Sequence, residues 1–228
     1  MSRQSYTQRG LTVPYIAAWS REVMLSPPVV RRMGVGGEGV GYLDELPQDR
    51  DEGVLWVRQA IARGKGGANF AAVHALRQRQ AMRHLLCQVC GTSLLSGGQD
   101  RQLYVLRDVG HPVTEGEKTT APPVCESCAL VAARDCPRLR AGYIAAWVEE
   151  PIPWGVSGVL YHPDALRPIT VPGTEPTIQL AFDDPRARWI IATRRVDSLH
   201  NVTPVALDDL PSQRPSARQH ADQEVSHA

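Results

Sequence analysis

Two Cys-x-x-Cys turns constrain this chain more than any other stretch. The first reads CQVCG, with Cys87 and Cys90. After a spacer of 34 residues the second reads CESCA, with Cys125 and Cys128. Each turn places two sulfurs within reach of one ion, and together they supply the four thiolates of a closed tetrahedral Zn2+ site. Gly91 follows the first turn, where a residue free of Cβ strain lets the chain double back. Pro122 and Pro123 stiffen the approach to the second turn, and the ALVAARD that follows Cys128 is a good helix former. The second pair is therefore predicted at a helix N-terminus, where the dipole favours thiolate. Between the pairs, Gln102–Asp108 reads as a strand and Ser96-Gly97-Gly98 as the turn before it.

Other chemistries of paired cysteines fit less well. A redox dithiol rarely comes in two copies outside a βαβ context, and haem attachment needs a His directly after the second cysteine, which neither pair has. A rubredoxin-like iron site usually has a glycine after its second pair; Ala129 stands there. Cys136 directly precedes Pro137 and marks a helix end. With four thiolates already at hand it reads as a small buried hydrophobe, not a fifth ligand.

The order of knuckle, hairpin and helix over roughly residues 85–136 resembles a treble-clef zinc finger. That likeness implies a structural metal and no particular activity, since such modules serve many functions. The four-cysteine HNH nucleases are the enzymes most similar in ligand pattern. Their strand between the pairs carries a water-activating His, an Asn follows in the loop, and a His on the helix binds the catalytic metal. This chain departs at each point: Asp108 has no adjacent His, His111 comes three residues late, no Asn lies between Cys90 and Cys125, and Ala129 follows Cys128. Over Arg77–Gly91 and Pro122–Pro137 the chain also resembles small proteins of actinobacteria and their phages. That likeness implies no particular activity; a phage or mobile-element accessory protein with purely structural zinc is a further alternative.

The charge pattern raises a second question. Net charge is +1, so no global field drives the protein toward nucleic acid or membrane. Locally the signs segregate. Residues 38–52 hold six acids and one Arg, whereas residues 53–99 hold none, with Arg58, Arg63, Lys65, Arg77, Arg79 and Arg83 among them. One reading is a basic helix before the knuckle that meets DNA or RNA through Arg77, Arg79 and Arg83, with Gln78 and Gln80 adding polar contacts. The other is a helix face paired internally with the preceding acidic block.

The remaining chain reads as β-rich. A strand is predicted around Tyr15–Trp19, and Gly34–Gly41 reads as a loop or bulged hairpin, not a dinucleotide loop, because no convincing strand feeds it. Residues 54–62 suit helix or strand. Residues 69–86 have helical composition with Asn69 as N-cap, although their apolar positions drift between faces. The pentapeptide YIAAW occurs at Tyr15–Trp19 and Tyr143–Trp147, which suggests two strands of one sheet. Further strands are predicted at 143–149, 155–161, 177–182 and 188–195, separated by Pro and Gly. His162 and His200 sit at strand ends without partners at catalytic spacing, and no G-x-S-x-G is present.

These observations predict an α+β protein with a four-cysteine zinc treble clef embedded between β segments. Residues 1–68 form an N-terminal strand and Gly-rich loop region, 69–141 the helix and zinc module, 142–210 a β-rich segment packing on the N-terminal strand, and 211–228 a polar tail expected to be disordered. The N-terminus has no apolar signal segment, no apolar run is long enough to span a bilayer, and the cysteine usage suits a reducing cytoplasm. The expected function is zinc-stabilised, non-enzymatic binding of nucleic acid or of a protein partner. A divergent HNH-type nuclease is the alternative.

Overall fold

The computed structural model describes residues 5–34, 36–95, 100–169 and 177–210. The predicted turn at Ser96–Gly98 and the tail 211–228 lie outside them. In chain order, β1 (Tyr6–Gln8) and β2 (Leu11–Val13) form a hairpin, and β3 (Ala17–Trp19) and β4 (Met24–Leu25) follow. A second hairpin, β5 (Val29–Gly34) and β6 (Gly37–Tyr42), occupies the glycine-rich segment; its register is regular, without a bulge, and a strand does lead into the glycines. Next come β7 (Arg50–Asp51), β8 (Val54–Trp56), β9 (Arg58–Gln59), β10 (Ala68–Val73) and α1 (Ala75–Arg83). Then β11 (Gln102–Arg107) and β12 (Glu117–Thr119) precede α2 (Glu126–Asp135). The chain closes with β13 (Tyr143–Leu160), β14 (Ile178–Ala181) and β15 (Ile190–Pro204). The fold is mixed α+β.

A long antiparallel hairpin of β13 and β15 is the spine, registered from Ala146 opposite Pro204 to Leu160 opposite Ile190. Strands add on both sides of it. β11 and β14 pair with β13, and β12 and the parallel strand β8 pair with β15. Alternate residues of β11 feed two cores, as the period of a strand requires. Leu103 and Val105 pack with Cys87, Val89, Val124, Ala129 and Trp147, while Tyr104 packs with Val148 and Leu199 on the opposite face. The cysteines are thus part of the apolar core of this half of the protein. At the far end Val54, Trp56, Val156 and Ile190 close a separate core.

Four expectations are corrected. The helix over 69–86 begins only at Ala75, with His74 as N-cap, because residues 68–73 are drawn into β10 against β3; the Asn69 side chain accepts from Ala71 N–H within that strand. The drifting apolar positions mark this change of period from strand to helix. Residues 143–149 and 155–161 are one continuous strand that runs through Pro151 and Pro153. Leu199, opposite Pro151, gives its carbonyl to Gly116 N on the β12 side, so both prolines turn their nitrogens away from β15. Their nitrogens point to the open edge of β13 between Val148 and Gly155, which neither β11 nor β14 reaches, and no ladder bond is lost. The two YIAAW segments do not pair. Ala17–Trp19 pairs with β10, while Tyr143–Trp147 lies between β11 and β15. Nor do β11 and β12 form a hairpin with each other, since each is claimed by a different strand of the spine.

Candidate metal centre

The chain folds locally so that both cysteine pairs converge. In the first turn Gly91, at φ +74°, donates to Cys87 O at 2.7 Å, and Cys87 N donates to Thr92 O at 2.8 Å. A β-carbon would strain that left-handed conformation. A bridge between Leu86 and Ser93 closes the knuckle. Its tip is stitched from two sides: Tyr15 N donates to Val89 O at 2.8 Å, and Gln88 N donates to Pro123 O at 2.9 Å. The second pair comes from α2. Cys125 is its N-cap residue and Cys128 lies in its first turn, as predicted. Val124, immediately before it, donates to Leu103 O at 2.8 Å and so ties the helix start to β11.

The ligand atoms of Cys87, Cys90, Cys125 and Cys128 all lie within 4.8 Å of one another, and Cys90 Sγ is 4.0 Å from Cys125 Sγ. A tetrahedral zinc with sulfur at about 2.3 Å requires neighbouring sulfurs about 3.8 Å apart, so the cluster matches a shared ion with little adjustment. Among the described residues no other group of three or more His, Cys, Asp or Glu side chains converges in this way. Hydroxyls flank two of the sulfurs. Thr92 Oγ1 is 3.4 Å from Cys90 Sγ and Ser127 Oγ is 3.5 Å from Cys125 Sγ, positions suited to donating to thiolates.

Crowding splits the four thiols. Hydrogen bonding from Cys125 pulls Cys90 down, and hydrogen bonding from Cys128 brings Cys125 to about 6. Hydrogen bonding to Cys125 pushes Cys87 and Cys128 up. A divalent cation bound by the four sulfurs takes the place of their protons and holds all of them as thiolates. Cys136 stands apart from the cluster as the C-cap of α2, as its reading as a non-ligand expects.

The basic residues of α1 take up a different task from the one proposed for a nucleic-acid surface. Arg77 is 6 % exposed. Its guanidinium donates to both carboxylate oxygens of Glu22 at 2.6 Å, to Tyr15 O at 2.7 Å and to Ala17 O at 2.8 Å. Arg79 lies 4.5 Å over the Trp56 ring and 4.0 Å from Asp51, and Arg83 pairs with Asp51 at 2.6 Å. Gln78, fully buried, clasps Arg195 through both its amide atoms and also donates to Thr120 O. Internal pairing therefore engages all three arginines, Arg77 with Glu22 and Arg79 and Arg83 with Asp51 of the acidic block. Burial pushes the Glu22 carboxyl up, but hydrogen bonds from Arg77 and Trp19 N–H and the Arg77 charge outweigh it, leaving it below its usual value.

Asp108 and His111 turn inward on their own loop. Asp108 accepts from Gly110 N at 2.8 Å, and His111 Nδ1 is 2.9 Å from Pro112 O. A constellation that the sequence hid lies at β15: Ser198 Oγ is 3.0 Å from His200 Nε2, whose Nδ1 is 2.8 Å from Glu115 Oε1. The order Ser–His–carboxylate is that of a nucleophile, its base and an orienting acid. Here, however, the Ser198 hydroxyl donates to Gly116 O at 3.1 Å, within a regular strand and 8 % exposed. Glu115 also accepts from Val202 N, so the three side chains clasp the loop before β12 onto β15. The S-x-H spacing on one strand face was the available signal; the carboxylate comes from 85 residues upstream and left none.

Among the described residues no helix is long and apolar enough to cross a membrane. No family model matches the chain, and neither a curated protein nor a solved structure matches it.

Proposed function

We propose that the chain is a zinc-stabilised binding protein in which the metal is structural and a protein partner, not a chemical step, is the purpose of the fold. The observation that carries this reading is the convergence of four thiol sulfurs within 4.8 Å. Four thiolates fill a tetrahedral shell and leave no position for water or substrate, the arrangement of structural rather than catalytic zinc. Soft thiolate donors also favour zinc over magnesium or calcium. A treble-clef likeness is retained for the knuckle and for the helix that begins at Cys125. With Arg77 and Arg79 engaged inside the protein, a protein partner is favoured over DNA or RNA.

Elemental analysis of the purified protein tests the first half. One zinc per chain is expected, lost together with the folded state when any of Cys87, Cys90, Cys125 or Cys128 is replaced by Ser, since structural zinc contributes on the order of 10 kcal/mol. Protein that folds with four free thiols and no metal refutes the reading, and stoichiometric iron replaces zinc by a rubredoxin-like site. A titration with duplex and single-stranded DNA at low salt tests the second half. Tight binding that weakens steeply with salt restores the nucleic-acid reading, and cleavage dependent on Mg2+ and on His111 restores the nuclease.

A further inference from the structure

A cleft of about 460 Å3 opens beside the metal centre, between β10, β11, β12 and the C-terminal half of α2. Its walls are largely apolar, with Phe70, Val105, Val109 and Val131 among them. β11 lies on the far side of β13 and β12 on the far side of β15, yet both line this one cleft. The sheet therefore curls until its two flanks approach each other, and the cleft is the seam left open between them.

Along that seam part of the β11 backbone is unpaired among the described residues. On the β13 side, Asp108 N donates to Gly142 O, so even-numbered residues of β11 bond toward β13. Leu103 instead accepts from Val124 N on the outer side, and Ala145, opposite Val105, gives its carbonyl to Val205 N of the β15 side. Val105 and Arg107 thus aim their N–H and C=O groups outward into the cleft, where among the described residues they have no partner. Val105 is only 4 % exposed, and buried backbone groups are rarely left orphaned. On the facing wall β10 loses register with β3 between Asn69 and Val73, which leaves Phe70–Ala72 without a partner strand among the described residues, although Ala71 N–H bonds the Asn69 side chain.

Charge narrows the occupant further. The carboxylates at the cleft are already engaged: Asp135 with Arg134 and Thr12 N, Glu117 with Thr114 N. Arg107 and Arg138, exposed at the rim, have no ion-pair partner among the described residues.

We infer that this seam receives an extended segment of a partner protein, apolar at its centre and acidic at its ends, which adds as a strand along Val105–Arg107. Main-chain hydrogen bonds supply affinity in such strand addition, and alternate side-chain pockets supply specificity. The inference deepens the binding reading and rests on it.

The test uses full-length, zinc-loaded protein and a fluorescent seven-residue peptide of alternating valine and threonine with aspartate at both ends. Two control peptides carry lysine ends or a central proline. The aspartate peptide is expected to bind in a salt-sensitive manner, to slow the reaction of the cleft-lining thiol of Cys136 with a disulfide reagent, and to protect the Val105 and Arg107 amides from exchange. Arg107→Ala removes the charged side chain and leaves the backbone N–H in place. Arg107→Pro also removes the outward N–H, which has no partner among the described residues, and is expected to bind about tenfold more weakly than Arg107→Ala, the worth of one hydrogen bond. The central-proline peptide gives the same loss without touching the protein. No binding at about 1 mM peptide, equal binding of the proline peptide, or protection elsewhere on the surface overturns the inference. A dimer whose Val105 and Arg107 amides are already protected assigns the seam to a second copy and overturns it too. Zinc content is measured in the same samples, so failure of the seam is distinguished from failure of the metal centre.

Discussion

Replacing Arg77 with Ala separates a structural arginine from a nucleic-acid contact. The substitution removes two charge-assisted bonds to Glu22 and two bonds to the carbonyls of Tyr15 and Ala17. Glu22, whose side chain is 0 % exposed, keeps as donors the N–H groups of Trp19 and Ala62, with His74 Nε2 3.8 Å away. Breaking one side of a buried pair costs about 3–5 kcal/mol, because the remaining charge stays buried. For a chain of this size that lowers the melting temperature by about 6–20 °C. Arg83, 53 % exposed in its pair with Asp51, contributes about 0–1 kcal/mol. Arg79 falls between, through its stacking on Trp56. The expected order of destabilisation is thus Arg77, then Arg79, then Arg83. Urea melts of the three alanine variants at pH 7.5, with zinc content measured in parallel, give that order directly. A surface row of phosphate contacts requires all three within about 0.5 kcal/mol of the parent. An Arg77→Ala variant no less stable than Arg83→Ala would falsify the buried-pair account. The double variant Arg77→Met with Glu22→Gln should recover part of the loss, since it no longer strands a charge.

Cys136→Ser is expected to keep one zinc per chain; loss of metal in that variant means the wrong four ligands were chosen. Stability should fall on acidification in two stages. Burial, and then the Arg77 charge, hold the His74 imidazole below its ordinary 6.5, so the unfolded chain takes up that proton first and stability declines as pH falls below 6.5. Glu22, also depressed, contributes stability present above 4.5 and lost as pH falls through its folded value. Thermal melts from pH 8 to pH 4 follow both stages, and a flat profile across pH 6.5 refutes the assignment of a neutral buried His74. His200→Ala should cost about 1 kcal/mol by releasing the loop clasp. It should leave the protein as inert to an active-serine phosphonate reagent as the parent, and covalent labelling of Ser198 in the parent would show that the clasp is a catalytic triad instead.

The local chemistry was legible where it lay in consecutive residues. The two cysteine turns, the strain-free glycine after the first and the helix that opens at Cys125 follow from spacing and propensity. Long-range pairing left no such trace. Residues 69–73 have helical composition, but the edge of β3 lies alongside, and tertiary pairing overrode a weak local preference. Pro151 and Pro153 read as strand breakers, and they are breakers only when their nitrogens face a partner. Which way they face is decided by Leu199 and Gly116, residues tens of positions away on either side.

The same argument explains the basic helix. An acid-free stretch with six cations reads as a surface for phosphate only if nothing in the fold reaches it. Here the acidic block 38–52 returns to it, through Asp51 to Arg79 and Arg83 and through Asp44 and Asp49 to Arg58, and Glu22 arrives from a third segment to bury Arg77. Segregated charge along a chain is thus as much the signature of two segments that will pair as of a surface left for another molecule. The two are told apart by burial, and the 6 % exposure of Arg77 decides for pairing. The recognition element inferred above is instead the seam beside the four cysteines, where the outward backbone groups of Val105 and Arg107 have no partner among the described residues. Backbone groups carry no mark in a sequence, so a strand-accepting edge is the kind of binding feature that only the three-dimensional register of β11 reveals.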